Sequence, residues 1–130
     1  MIIVDTDIMI DILRQYPNSL NWLATIDEED IALPGFVVFE LLMGCRNKQE
    51  QDIIEKKISN YRILWPSEEI CDLALNIFYS YYLSHNISVF DALIGYIAVE
   101  LNLPLYTFNE KHYSVISVLK TIRPYKKDVI

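Results

Sequence analysis

The stretch IIVDTDIMID, residues 2–11, decides the fold. Ile2, Ile3 and Val4 run straight into Asp5, and Asp7 and Asp11 follow within the next six positions. A short β-branched apolar run stopped by polar residues predicts a buried strand over 2–5. The apolar–polar spacing over 7–15 then predicts a helix. Carboxylates crowded at a strand end repel one another, and losing water costs each more than a typical hydrogen bond returns. Either they fan out into solvent, or something positive sits among them.

Working outward, Pro17-Asn18-Ser19 breaks the first helix, and Ser19 is placed to cap a second one through Thr25. The acidic stretch 27–30 reads as a solvated turn before the strand IAL (31–33). Pro34 falls near the start of a helix holding FVVFELLMG, where proline is tolerated. An amphipathic helix over 48–59 precedes the β-rich YRILW (61–65). Pro66-Ser67 opens a long helix to about His85, and Ser88 opens another to about Asn102. LPLYTF (103–108) and residues around 118–123 complete the strands. Strands alternating with helices predict an α/β domain with a mainly parallel sheet and helices on both faces. In such sheets ligands bind outside the carboxyl ends of the strands. Asp5 lies at one such end and Asn109 just past another.

The totals set bounds. One hundred and thirty residues, 52% of them apolar, make one domain over 1–130 with a real core. No apolar run approaches the roughly 18–20 residues of a membrane helix. The start lacks a basic n-region and a small-residue cleavage site, so a cytoplasmic setting is expected. Cys45 and Cys71 match no zinc spacing and read as buried thiols. A net charge of −7 argues against binding nucleic acid by surface charge alone. The basic residues do crowd the tail (Lys120, Arg123, Lys126 and Lys127, against Asp128), where they are expected to grip phosphates. Acids that hold divalent cations would further soften the objection.

Three acids stand in unusual company. Glu40 has Phe36, Val37, Met43 and Gly44 as its helical neighbours, so it is buried or lines a cleft, unless it ion-pairs with a distant Arg or Lys or is simply exposed at the helix edge. Asp91, in SVFDALIGYIA, completes a capping box with Ser88; one of its oxygens can cap while the other faces a cleft. Asp5 ends a strand and has no ordinary explanation. Asp7 does, since it or Thr6 can cap the next helix, and Asp11 can pair with Arg14 on the surface. In YTFNEKHY (106–113), Thr107 and Asn109 offer oxygen atoms, and His112 reads as a base, a phosphate contact or a surface ring. Mg²⁺ and Mn²⁺ take oxygen ligands, one or two carboxylates with several waters. Asp5, Glu40 and Asp91 supply enough, with Asn109 adding a neutral oxygen. Such an ion activates water and neutralises the leaving oxygen of a phosphodiester.

IIVDTDIMID, FELLMG, SVFDALIGYIA and LYTFNEKHY, in that order and at these spacings, resemble the PIN domain, most closely the VapC-type ribonuclease toxins of toxin–antitoxin pairs. The likeness runs from Ile2 to about Tyr125. The resemblance implies a three-layer α/β/α sandwich, an acidic pocket for Mg²⁺ (or Mn²⁺) and cleavage of single-stranded RNA. A homodimer and a small antitoxin that blocks the site are implied with it. Asp5, Glu40 and Asp91 match the three shared acids as metal ligands and catalytic groups. Asn109 falls where many members carry a fourth acid, which predicts one firmly held ion, with any second arriving with substrate. Thr6, Thr107, Lys111 and His112 are the substrate-contact candidates.

Two rival readings use the same residues. The opening D-x-D also resembles that of the haloacid dehalogenase phosphatases, with Asp5 as nucleophile and Asp7 as general acid. Met9 stands where that reading expects Thr or Val, and no later lysine or acidic pair completes it. Alternatively the chain is a non-catalytic interaction module, with FYSYYL (78–83) offering aromatics to a partner; at helical spacing, at least half of these should pack inward.

Overall fold

The structure is a computed structural model describing residues 1–127; Asp128, part of the basic-tail reading, lies outside the described residues. Five strands form one sheet: β1 (Ile2–Val4), β2 (Ile31–Pro34), β3 (Arg62–Leu64), β4 (Leu105–Tyr106) and β5 (Thr121–Ile122). Their order is β3-β2-β1-β4-β5, and every pairing is parallel. Parallel strands need crossovers, which are supplied by α1 (Thr6–Leu13), α2 (Pro17–Leu23), α3 (Gly35–Met43), α4 (Lys48–Ile58), α5 (Glu68–His85), α6 (Val89–Leu101) and the short α7 (Glu110–Tyr113). Ile3, Val4 and all of β2 are buried, as expected of a sheet covered on both faces. Ile3, Ile8, Leu33, Val37, Ile94, Ile97 and Leu105 form the centre of the core. This is the three-layer α/β architecture the sequence implies.

Several local readings change. Ser19 does not cap α2: the helix begins at Pro17, and the buried Ser19 hydroxyl donates back to the Tyr16 carbonyl at 2.7 Å. Proline is already suited to the first helical turn, so the boundary moves upstream. The acidic turn winds into a single 3₁₀ turn, Glu28–Asp30, capped by Asp27. Cys45 and Cys71 are free but only half-buried. In FYSYYL, Phe78 and Tyr81 pack against the small cluster of Ala74, Ile87 and Ala92, while Tyr79 points outward. Among the described residues no helix is long and apolar enough to cross a membrane.

The strand order reverses between β1 and β4, both paired from there outward. Chains leave such neighbouring strands in opposite directions, so a crevice opens at their carboxyl ends. Asp5 and Thr107 each follow one of these two strands directly. The Asp5 N–H still donates to the Tyr106 carbonyl at 2.9 Å, extending the ladder into the crevice.

Candidate active site

Asp5 is the residue where β1 becomes α1. It is the N-cap of that helix, in extended conformation, and its Oδ1 accepts the Thr6 N–H at 2.8 Å. The cap is therefore Asp5 and not Thr6 or Asp7. Its Oδ2 accepts the Thr107 hydroxyl at 2.8 Å, and that hydroxyl in turn accepts the Asn109 N–H at 3.0 Å. The loop after β4 thus holds Asp5 through a relay. Only 2% of Asp5 is exposed. Burial, and then the charge of Asp7, push its carboxyl up to about 7, against hydrogen bonds from Thr6, Thr107 and Tyr113 that favour the ionised form.

Glu40 sits on α3, half-buried, and its Oε1 accepts the Thr6 hydroxyl at 2.8 Å. Thr6 therefore ties two acids together, Asp5 through its N–H and Glu40 through its hydroxyl. Burial raises the Glu40 carboxyl, and the nearby charges of Asp91 and Asp7 raise it further. The ion-pair reading for Glu40 fails: among the described residues neither Glu40 nor Asp5 pairs with a Lys or Arg.

Asp91 lies in the first turn of α6, where an acid suits the helix dipole. Ser88 caps its N–H at 3.0 Å, but the capping box is only half made. The Asp91 carboxylate turns instead to the Tyr113 hydroxyl, 3.4 Å from Oδ1, and to His112, whose Nδ1 is 3.8 Å from Oδ2. The Tyr113 hydroxyl also lies beside Asp5 and favours its ionised form. The sequence reading passes over Tyr113, because an aromatic closing a short apolar-flanked segment reads as core. The only signal was a hydroxyl-bearing ring six residues beyond Thr107.

The other expected site residues separate into two groups. Thr107 is fully buried, so it cannot touch a substrate; it positions Asp5. Thr6 is engaged by Glu40 in the same way. Asn109 heads α7, and its side chain makes no capping bond; it is exposed, as are Lys111 and His112, at the rim. Asp7 is held by the Ile8 N–H on Oδ1 and by the Phe108 N–H on Oδ2, both at 2.8 Å. Asp11 does not pair with Arg14: it accepts the Tyr125 hydroxyl at 2.6 Å and lies 3.1 Å from Lys127 Nζ. Lys127 also sits 4.5 Å from the Phe108 ring centroid, and Arg123 pairs with Glu110 at 3.1 Å. Much of the basic tail is thus strapped to the body of the protein, which occupies charges expected to grip phosphates.

Among the described residues, no three Asp, Glu, His or Cys side chains stand ready to ligate one ion. Thr6 links Asp5 to Glu40, Tyr113 donates to Asp91, and the three acids do not already surround one point. The donor set still fits a hard cation. It is all oxygen, negatively coupled and without basic partners at Asp5 and Glu40, and Mg²⁺ commonly takes one or two carboxylates and keeps its waters.

The PIN domain family model matches residues 2–117 of the chain. Ribonuclease VapC10 of Mycobacterium tuberculosis is 29% identical over 122 residues, covering 92% of this chain and 91% of that protein. VapBC2 from Rickettsia felis, solved bound to a DNA fragment from its promoter, is 26% identical with a TM-score of 0.70, covering 94% of this chain and 98% of that one. A toxin–antitoxin complex from Klebsiella pneumoniae shares the fold at 20% identity and TM-score 0.76, covering 98% of this chain and all (100%) of the matched one. With its acids gathered at the switch point of a five-stranded parallel sheet, and a family match over nearly its whole length, the chain belongs to the PIN domain family.

Proposed function

We propose that this protein is the toxin of a VapBC-type pair, a Mg²⁺- or Mn²⁺-dependent endoribonuclease that hydrolyses RNA at the Asp5–Glu40–Asp91 cluster. One observation carries the reading. Acids from the end of β1, from α3 and from α6 lie close enough to interact, Asp5 and Glu40 through Thr6 and Glu40 with the charge of Asp91, and among the described residues no Lys or Arg pairs with Asp5 or Glu40. Family membership and the likeness to Ribonuclease VapC10 support it.

Asp5, Asp91 and Glu40 would hold the cation, which when bound supplies an activated water and charge neutralisation at the scissile phosphate. Thr107 and Thr6 fix the Asp5 carboxylate, one donor on each oxygen. Thr6 also fixes Glu40. Lys111 and His112 are exposed on α7, with His112 3.8 Å from Asp91, and would meet the RNA backbone, while Asn109 offers a neutral oxygen at the head of the same helix. The phosphatase alternative is not favoured, because Asp7 is locked by two backbone N–H groups and is not free to act as a general acid.

The partner that fits is a cognate antitoxin, as in the toxin–antitoxin complexes of similar fold. A groove of about 300 Å³, lined by Ile10, Leu13, Leu41 and Ile54 and reaching Glu40, gives it an apolar seat beside the acids. A homodimer and a cytoplasmic location belong to the same reading. The test is cleavage of unstructured RNA by the purified protein. Mg²⁺ should support cleavage, and EDTA or Asp91→Asn should abolish it. Full cleavage in EDTA or by the variant would overturn the proposal.

A further inference from the structure

Tyr113 is 1% exposed, and its ring packs on α6 where Gly95, one turn beyond Asp91, makes room for it. A Cβ at Gly95 would come within 3.3 Å of the ring and 2.6 Å of Ile116. Buried tyrosines need a partner for their hydroxyl. Here the hydroxyl donates to Asp91 Oδ1 at 3.4 Å and sits beside Asp5, whose ionised form it favours. A phenylalanine would fill the ring's space without placing a polar atom between acids.

We infer that Tyr113 is a positioning residue whose neutral hydroxyl bridges Asp5 and Asp91 and sets their spacing for a divalent cation. This rests on the metal-dependent reading above. Asp5 belongs to the end of β1 and Asp91 to α6, with 85 residues of chain between them, and Thr6 reaches Asp5 and Glu40 without reaching Asp91. The Tyr113 hydroxyl supplies the missing link. Partners that orient metal ligands from behind influence affinity through geometry, and their removal typically weakens binding about 10–100-fold.

The test is Mn²⁺ binding by calorimetry, without RNA, on the full chain. Tyr113→Phe should fold and bind Mn²⁺ about 10–100-fold more weakly than the natural protein. Incorporating para-aminophenylalanine at position 113, which restores a neutral donor, should recover most of the loss. Should Tyr113→Phe fold poorly, para-fluorophenylalanine fills the hydroxyl's volume without donating and should show the same weakening. Unchanged Mn²⁺ affinity in a folded variant lacking the donor would overturn the inference while leaving the metal site intact. A natural protein that binds no Mn²⁺ would overturn both.

Discussion

Replacing Asp5 by Asn in the metal-free protein should make it more stable at alkaline pH. Asp5 is nearly sealed from water, and its carboxyl is pushed from 3.8 up to about 7. A raised acid pKa means that the folded state binds the proton more tightly than the unfolded chain does. That stabilisation is complete below pH 3.8 and is lost as pH rises through about 7. At about 1.4 kcal/mol per pKa unit the loss reaches about 4 kcal/mol near pH 8, and less than half of that near pH 5. Asn carries no charge to bury, but its amide NH2 replaces an oxygen that accepts from Thr6 or Thr107, costing about 1–2 kcal/mol. The net expectation is a gain of about 2–3 kcal/mol near pH 8 and almost none near pH 5. For a domain of this size that is a rise of roughly 6–9 °C in melting temperature. Urea and thermal unfolding in EDTA at both pH values measure it. A loss typical of a core mutation at pH 8, or equal differences at both pH values, would refute the reasoning.

Other perturbations separate neighbouring roles. Glu40→Gln should preserve the fold, because the amide oxygen still accepts the Thr6 hydroxyl, yet abolish Mg²⁺-dependent RNA cleavage; full activity would remove Glu40 from the site. Thr107→Val keeps the shape and deletes the donor to Asp5, so at pH 8 it should cost about 1–3 kcal/mol in urea unfolding and reduce cleavage. Unaltered stability would mean that the relay through Asn109 does not hold the carboxylate. Gly95→Ala should cost about 1–3 kcal/mol by overpacking Ile116 and the Tyr113 ring, and a neutral result would show that this contact yields freely. Tyr125→Phe should cost about 1 kcal/mol by releasing Asp11; no change would mean the tail strap contributes nothing.

The order and direction of the main elements can be read in the sequence because each carries a local signal. Short apolar runs mark Ile2–Val4 and Ile31–Pro34, and Ser67 and Ser88 cap the helices they were expected to open. Elements whose ends depend on tertiary contacts are harder to read. α7 is four residues long, too short for any periodicity, and it follows a loop that Thr107 ties to Asp5. The same limit governs the site. Asp5, Glu40 and Asp91 stand out as charges in apolar surroundings, a property of each residue's own neighbours. The roles of Thr107 and Tyr113 arise only when distant segments meet, with Thr107 reaching 102 residues back to Asp5. Asp7 and Asp11 have good local explanations in the sequence, and both find stronger partners far away, at Phe108 and at Tyr125 with Lys127. A single chain records a residue's neighbours in sequence, whereas these partners are neighbours in space.

The central claim is that the carboxylates of Asp5, Glu40 and Asp91 hold a divalent cation at the switch point of the sheet. Anomalous diffraction from crystals grown with Mn²⁺ addresses it most directly. A single strong peak at bonding distance from the Asp5 or Asp91 carboxylate, lost in Asp91→Asn crystals, is the predicted result. Well-ordered crystals with no manganese at the crevice, or with manganese bound only elsewhere on the surface, would contradict it.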